Sequence, residues 1–189
     1  LRPCPSRVTL VSARSWSADW ADRMRVHHFT ATLSPRDAVG HHTLAVDDLL
    51  REMGHDTTLF AKSIHPDLAG RARDFRDHLV EELADVVLYQ ASTGSPVADH
   101  LLGRPEPLVL DYHNLTPAGA FDLWEPHIGA ELDAGRRQLA RLARRAVAAV
   151  ADSHFNADEL IEFGLEDVRV APVLFEPPQP PDRLSLIHI

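Results

Sequence analysis

Residues 85–90, Asp-Val-Val-Leu-Tyr-Gln, form a nearly continuous apolar run that constrains the fold more than any other segment. Such a strand is apolar on both faces, so it must be covered on both sides, as strands of parallel sheets are. Other extended segments alternate with helical ones: 26–33, 56–61, 107–112, 146–151 and 168–171. This alternation predicts an α/β fold, a doubly wound and mostly parallel sheet with right-handed crossovers.

Apolar spacing and capping residues predict the helices between these strands. One helix carries apolar residues at i, i+3, i+4 and i+7, which predicts a single buried stripe. The stripe comprises Val46, Leu49, Leu50 and Met53. Gly54 follows it and suits a left-handed helix end. Further helices are expected over 75–83, from Ser95-Pro96 to Gly103, over 129–145, and from Ser153 or Asn156 to Gly164, with Glu159 completing a capping box on Asn156.

The strand order decides where a ligand would bind. If the six predicted strands, numbered along the chain, are arranged 3-2-1-4-5-6, the winding reverses between the first and fourth strands. Ligands of such sheets bind beyond the carboxyl ends of the strands at that reversal. This order predicts that loops 34–40 and 113–119 form the functional site.

Composition excludes several classes of protein. The 189 residues carry 19 Lys and Arg against 28 Asp and Glu, and the net charge of -9 argues against a nucleic-acid partner. No apolar run approaches the ~20 residues of a membrane span. The single Cys4 excludes an internal disulfide framework and a multi-cysteine zinc site. We therefore expect a soluble, cytoplasmic domain.

Nucleotide-binding motifs are also missing. The first strand is not followed by G-x-G-x-x-G, and only Gly40 lies in that loop, which argues against a nicotinamide or flavin enzyme. Lys62 is the sole lysine and does not belong to a phosphate-binding loop, so a P-loop NTPase is excluded. Gly40 has two open interpretations: it brings backbone amides close to an anionic or sugar ligand, or it allows close packing of helix on sheet.

Twelve histidines suggest a metal site, but their spacing argues against one. His27 and His28 are adjacent on a strand and face opposite sides, and the neighbours His41 and His42 near a helix start also diverge. No H-E-x-x-H is present, so we expect no bound metal.

His113 is a different case, because it stands where a strand meets the predicted ligand loop, between Asp111-Tyr112 and Asn114. A histidine there can donate a hydrogen bond to a phosphate or sugar hydroxyl, or exchange a proton near neutral pH. The alternative interpretation is that it holds its own loop in place.

The predicted helix 129–145 is rich in arginine, and four of its arginines share one face by i, i+3 and i, i+4 spacing. They are Arg137, Arg141, Arg144 and Arg145. One interpretation is peripheral contact with an anionic membrane surface at the inner membrane face, or with a phosphorylated acceptor. The other is an ordinary solvated helix face.

Several short motifs, taken in order, resemble the N-terminal half of a family 4 glycosyltransferase over residues 24–175. They are Val26-His27-His28-Phe29, Asp37-Ala38-Val39-Gly40-His41-His42, Leu49-Leu50-Arg51-Glu52-Met53-Gly54-His55, Asp111-Tyr112-His113-Asn114-Leu115-Thr116-Pro117, Gly135-Arg136-Arg137-Gln138-Leu139-Ala140 and Ala151-Asp152-Ser153-His154-Phe155-Asn156. The resemblance implies a GT-B architecture, in which two Rossmann-like domains face a cleft. It also implies transfer of a sugar from a nucleotide-sugar to an acceptor with retention of configuration and without a cofactor or metal.

The resemblance assigns roles to particular residues. His113 matches the family's cleft histidine and is the predicted catalytic residue. The loop around Gly40 matches a loop that approaches the donor diphosphate, although relatives often have two glycines there. Ser153 matches a polar cap at the cleft end of the fifth predicted strand, and Asn114 completes the predicted binding set. The family's donor motif, two glutamates eight positions apart, belongs to a C-terminal domain that would follow this chain.

The two ends of the chain look foreign to the fold. Residues 1–23 are predicted to be a non-native or disordered leader, with Met24 as the natural start. Residues 176–181 are Pro-rich and suit a linker. The last six residues, 184–189, resemble the translation of a transposon-end adapter used for DNA sequencing libraries, which predicts an artefactual tail on a truncated gene. We therefore expect these residues to fold but not to transfer sugar.

Two other classes of function stay open. A non-catalytic Rossmann-like module that binds a small molecule would need no further domain. A hydrolase or epimerase would need a nucleophile motif or a cofactor fingerprint, and G-x-S-x-G is absent from the chain.

Overall fold

The computed structural model describes residues 23–121 and 123–174. These residues form a seven-stranded sheet with four α-helices. In chain order the elements are β1 Arg25–Leu33, α1 Ala38–Glu52, β2 Asp56–Ile64, β3 Arg73–Asp74, β4 Val86–Ala91, α2 Pro96–Leu102, β5 Leu108–Tyr112, α3 Pro126–Arg145, β6 Ala148–Ala151, α4 His154–Glu162 and β7 Val168–Val170. The predictions for residues 1–22 and 175–189 lie outside the described residues.

The sheet has the order β3-β2-β1-β4-β5-β6-β7, and every pairing between neighbouring strands is parallel. The predicted doubly wound parallel sheet is confirmed. The predicted position of 85–90 is wrong, because this run, as β4, pairs directly with β1. The two-residue strand β3 occupies the place beyond β2 instead. The winding therefore reverses between β1 and β4, and the loop after β5 lies one strand further along.

The predicted helix over 75–83 is also wrong. Phe75–Asp77 forms only a 3-10 turn, and the chain that follows is irregular. The Arg104 guanidinium donates hydrogen bonds to the carbonyl oxygens of Leu79 at 3.1 Å and Glu82 at 3.2 Å. These carbonyls bind a side chain rather than helical amides, so an irregular path is stabilised here.

The helix ends follow the capping residues. Gly54 has φ of 92°, as a left-handed helix end requires. The Ser95 hydroxyl caps α2 by accepting from the amide of Val97 at 3.2 Å. The α4 cap is Ser153, whose hydroxyl accepts from the Asn156 amide at 3.3 Å. The capping box expected at Asn156 is therefore not formed.

The two faces of the sheet differ in polarity. The face covered by α2, α3 and α4 carries the large apolar core, with Phe29, Tyr89 and Leu110 on adjacent strands at its centre. Asp111 follows Leu110 on β5, so it points to the opposite face. That face carries α1, whose His42 side chain contacts Asp111.

The predicted apolar stripe of α1 is not its buried face. Leu49 and Met53 are 45% and 55% exposed, and Val46 and Leu50 are only half-buried. The residues of α1 that are buried are instead Gly40, His42, Thr43 and Asp47. This rotation is favoured because buried His42 finds a carboxylate on β5, and buried Asp47 accepts a hydrogen bond from the Arg51 side chain at 3.1 Å. These polar contacts hold α1 against the sheet together with Leu44, which packs on the apolar cluster of Leu33, Leu59 and Ala61.

Among the residues that the structure describes, no helix has the length and apolar character needed to cross a membrane.

Candidate functional site

His113 lies at the carboxyl edge of the sheet, directly after β5. Its backbone amide donates to the carbonyl of Ala91, at the end of β4, at 2.9 Å. The next residue, Asn114, has φ of 30°, a left-handed conformation that asparagine tolerates better than most residues. The chain therefore turns sharply after His113, whose side chain stays almost buried while Asn114 is exposed.

Neighbouring side chains hold the loop that follows His113. The Tyr112 hydroxyl accepts from the Leu115 amide at 3.1 Å, and the Arg136 guanidinium donates to the Leu115 carbonyl at 2.9 Å. Tyr112 and Arg136 both contact the Glu159 carboxylate. Arg136, on α3, and Tyr112 thus hold the two backbone polar groups of Leu115.

The His113 ring lies between two carboxylates. Its Nε2 is 3.1 Å from an oxygen of Asp111, and its Nδ1 is 3.5 Å from an oxygen of Asp152. Burial lowers the pKa of His113, but the two carboxylates outweigh burial and raise that pKa above its ordinary value. The ring is therefore held as an imidazolium over a wider pH range than a free histidine.

Asp111 stays ionised in spite of its burial. Burial raises the pKa of its carboxyl, but hydrogen bonds with His113 and His42 hold that pKa well below its usual range. His42 contributes from α1: its Nε2 is 2.9 Å from the second oxygen of Asp111, and its ring packs edge-on against His113 with centroids 4.6 Å apart. One carboxylate therefore joins two histidines from different elements.

Three of these side chains could in principle hold a metal ion, since ligand atoms of His42, Asp111 and His113 lie within 4.8 Å of one another. The spacing argument did not anticipate this cluster, because its members come from α1 and β5. The hydrogen bonds argue against coordination. His42 Nδ1 accepts from the Leu174 amide at 2.9 Å, so the proton of the neutral ring is on Nε2, the atom that faces Asp111. A metal ligand needs that atom deprotonated.

Asp152 forms the more open wall of the site. It follows β6, and its side chain is 23% exposed, whereas that of Asp111 is 7% exposed. Its other oxygen accepts from the Asn156 side-chain amide at 2.6 Å. The predicted site residue Ser153 is its neighbour, but the Ser153 hydroxyl serves as the α4 cap.

Gly40 stands in the first turn of α1. Its amide donates to the Asp37 carboxylate at 2.6 Å, which is the helix cap. A Cβ at this position would lie 1.9 Å from the carbonyl oxygen of Ser34. Of the two interpretations left open by the sequence, these contacts support close packing. Donor binding by this loop stays a prediction.

Of the four side chains that meet in this candidate site, the sequence prediction named only His113. His113 was expected, whereas His42, Asp111 and Asp152 were not given roles. A signal for the carboxylates was present, since Asp111 and Asp152 stand at the carboxyl ends of adjacent parallel strands, where side chains meet. His41 and His42 do diverge as predicted, one exposed and one buried.

The four arginines of α3 do not form one free basic face. Arg145 donates to the backbone carbonyl of Glu106 at 2.7 Å, and Arg141 lies 3.6 Å from a carboxylate oxygen of Asp99. Arg137, Arg141 and Arg144 are exposed, and Arg145 is half-buried. Arg145 therefore serves the fold, and membrane contact through this face stays a prediction.

The fold and the polar carboxyl edge define the chain as a Rossmann-like α/β domain with a candidate ligand site beside the point where the winding reverses. No protein-family model matches the chain, and no curated protein sequence matches it. Solved glycosyltransferase structures do match it. An alpha-glucosyltransferase in complex with UDP and a 13-mer DNA is 17% identical, with a TM-score of 0.54 over 79% of this chain and 42% of that one.

Two further structures give the same result. The alpha-glucosyltransferase in complex with UDP-glucose and DNA containing an abasic site is 18% identical, with a TM-score of 0.53 over 79% of this chain and 42% of that one. Anabaena Alr3699/HepE in complex with UDP-glucose is 14% identical, with a TM-score of 0.53 over 82% of this chain and 45% of that one. The chain thus has the fold of one domain of such enzymes and spans less than half of their length.

Proposed function

We propose that the chain is the N-terminal, acceptor-side domain of a GT-B glycosyltransferase. The full-length protein would transfer a sugar from a nucleotide-sugar to an acceptor hydroxyl with retention of configuration. The bond between the anomeric carbon and the diphosphate breaks, the acceptor oxygen forms the new glycosidic bond, and the acceptor proton leaves with the nucleoside diphosphate. The fold likeness supports the class of protein, and the family motifs support retention.

One observation carries the proposal: Nδ1 of His113 lies 3.5 Å from the Asp152 carboxylate on the open side of the site. A charged N–H donor next to a carboxylate acceptor suits a sugar, because one hydroxyl can accept from the first and another can donate to the second. The imidazolium would also interact favourably with the negative charge of a diphosphate. His113 is therefore the proposed catalytic residue, and Asn114 lies exposed beside it.

We propose further that transfer needs no bound metal and that the acceptor is not a nucleic acid. The proton assigned to His42 Nε2 supports the first point. The net charge of -9 supports the second, although some of the similar structures contain DNA. Retained binding of UDP-glucose in excess EDTA is the expected result for the first point.

The test is NMR titration of the chain with UDP-glucose and, separately, with UDP. We expect amide shifts at 38–42, 113–115 and 152–154, and an affinity about tenfold weaker in His113→Ala, as expected for loss of a charged hydrogen bond. His127→Ala, an exchange of an exposed histidine, is the matched control and should bind as the parent does. Shifts confined to the amino edge of the sheet would refute the proposed site.

Release of UDP measures the second part of the proposal. We expect none from these 189 residues, because the chain spans less than half the length of the similar glycosyltransferase structures. Sustained turnover of UDP-glucose by these residues would refute the proposal that they form only one domain of the enzyme. Binding without turnover even after fusion to a donor domain would favour the non-catalytic module.

A further inference from the structure

The chain leaves the sheet past the candidate site. After β7, the Ala171 amide donates to the carbonyl of Ala151 at 3.0 Å. Three residues later, the Leu174 amide donates to Nδ1 of His42, 132 positions away in sequence, at 2.9 Å. Residues 171–174, called the exit segment here, are thus tied to α1 by a side chain that also belongs to the candidate site.

The two hydrogen bonds of His42 determine which nitrogen of its neutral ring carries the proton. A backbone amide can only donate, so Nδ1 must offer a lone pair, and the ring proton of the neutral form is on Nε2. Nε2–H then donates to Asp111, whose other oxygen faces His113. A continuous polar chain therefore runs from the Leu174 amide through His42 and Asp111 to His113.

We propose that His42 is a positioning residue that couples the exit segment to His113 through Asp111. When the exit segment moves away, Nδ1 of His42 loses its hydrogen-bond donor, and the ring that presents Nε2 to Asp111 is no longer fixed from that side. The contact between Asp111 and His113 then changes, and with it the charge that His113 experiences. The position of the exit segment and the charge of the site histidine become linked, and the linkage works in both directions. Its consequence for sugar transfer rests on the proposed function.

Other charged groups face this chain from each neighbouring element, and they bear on its titration. Asp152 faces His113 from the end of β6. His28 on β1 and Asp47 on α1 interact electrostatically with the cluster. The Leu174 amide donates to His42 and not to any of these groups, so Leu174→Pro removes none of their charges.

The test uses Leu174→Pro, which removes the amide hydrogen, with Val173→Pro as the matched control in the same segment. Ring signals of His113 are followed by NMR as the pH is varied. We expect the titration midpoint of His113 to shift in Leu174→Pro, with at least a threefold change in its proton affinity, and to stay at the parental value in Val173→Pro. An unchanged midpoint in Leu174→Pro would overturn the proposal.

A second variant separates coupling from a simple structural role. In His42→Gln the side-chain amide can still donate to Asp111, but no acceptor remains at the Nδ1 position. We expect His113 to titrate near the parental midpoint in this variant, Leu174 to exchange its amide hydrogen at least tenfold faster, and Leu174→Pro to have no further effect. An effect of Leu174→Pro that persists in the His42→Gln background would refute the route through His42.

These outcomes do not depend on sugar binding. If UDP-glucose fails to bind but Leu174→Pro shifts the His113 titration, the coupling stands and the proposed function fails. If UDP-glucose binds at the site and the titration does not move, the proposed function stands and the coupling fails.

Discussion

Acidification is expected to destabilise this domain through His28, which lies on β1 beneath α1. Its side chain is fully buried, and neither ring nitrogen has a hydrogen-bond partner within the described residues. Burial lowers the pKa of His28 from 6.5 to about 4, although the carboxylates of Asp111 and Asp47 raise it in part. Between these two values the unfolded chain binds the proton and the folded chain does not, so stability falls as the pH falls below 6.5.

The size of this effect follows from the two pKa values. Each pH unit below the unfolded pKa costs about 1.4 kcal/mol until the folded state itself is protonated. At pH 5 His28 therefore accounts for about 2 kcal/mol of lost stability. His28→Leu removes this proton and two unpartnered nitrogens, so at pH 7.5 we expect unchanged stability or a gain of about 1 kcal/mol.

The assay is urea unfolding at pH 7.5 and pH 5, comparing the change in unfolding free energy between the two conditions. We expect that change to be smaller by about 2 kcal/mol in His28→Leu than in the parent chain. His154→Leu, an exchange of an exposed histidine, is the control and should keep the parental change. If His28→Leu loses as much stability on acidification as the parent, the burial argument is wrong.

Three further exchanges test the packing around the site by thermal or urea unfolding. Gly40→Ala should lower the unfolding free energy by about 3 kcal/mol, because its Cβ would lie 1.9 Å from a backbone oxygen. In the control Gly54→Ala the added Cβ meets no atom within 4 Å, and the loss should be about 1 kcal/mol for the left-handed backbone. Equal losses would contradict close packing. Arg136→Ala should lower the unfolding free energy by about 2 kcal/mol, because it releases the loop after β5. Exposed Arg137→Ala should leave the unfolding free energy nearly unchanged. A larger loss in Arg137→Ala than in Arg136→Ala would contradict the role of Arg136 in holding this loop. Ser153→Ala should lower the unfolding free energy by about 1 kcal/mol, because it removes the α4 cap. If the variant instead keeps its stability and loses affinity for UDP-glucose, the Ser153 hydroxyl has a binding role.

The strands could be predicted because their signals are local. Apolar runs such as 85–90 need only their own composition to indicate a buried parallel strand. The caps at Ser95 and Ser153 depend on one side chain and the amides that follow it, so they too are visible in the sequence. The neighbours of a strand are a different matter. The place beyond β2 is taken by a two-residue strand, Arg73–Asp74, which is too short to have a recognisable pattern in the sequence.

Long-range polar contacts explain the errors between β2 and β4. The segment after Phe75 has enough apolar and acidic residues to resemble a helix. However, Arg104, which follows α2 in the chain, donates hydrogen bonds to the carbonyl oxygens of Leu79 and Glu82 in this segment. His78 is held in the same way, with its two ring nitrogens 2.9 Å from His27 and 3.0 Å from His100. Partners so distant in sequence cannot be read from local periodicity.

The failure at α1 is informative about the site itself. An apolar stripe would ordinarily face the sheet, because its burial stabilises a helix at no polar cost. Here α1 leaves Leu49 and Met53 largely exposed and buries His42 and Asp47 instead. A fold selected only for stability would not place ionisable groups on the buried face of α1. Predictions from apolar periodicity are expected to fail at positions where the residue is selected for function. The departure of α1 from its own pattern therefore supports a functional role for the His42 and Asp111 cluster independently of any likeness to glycosyltransferases.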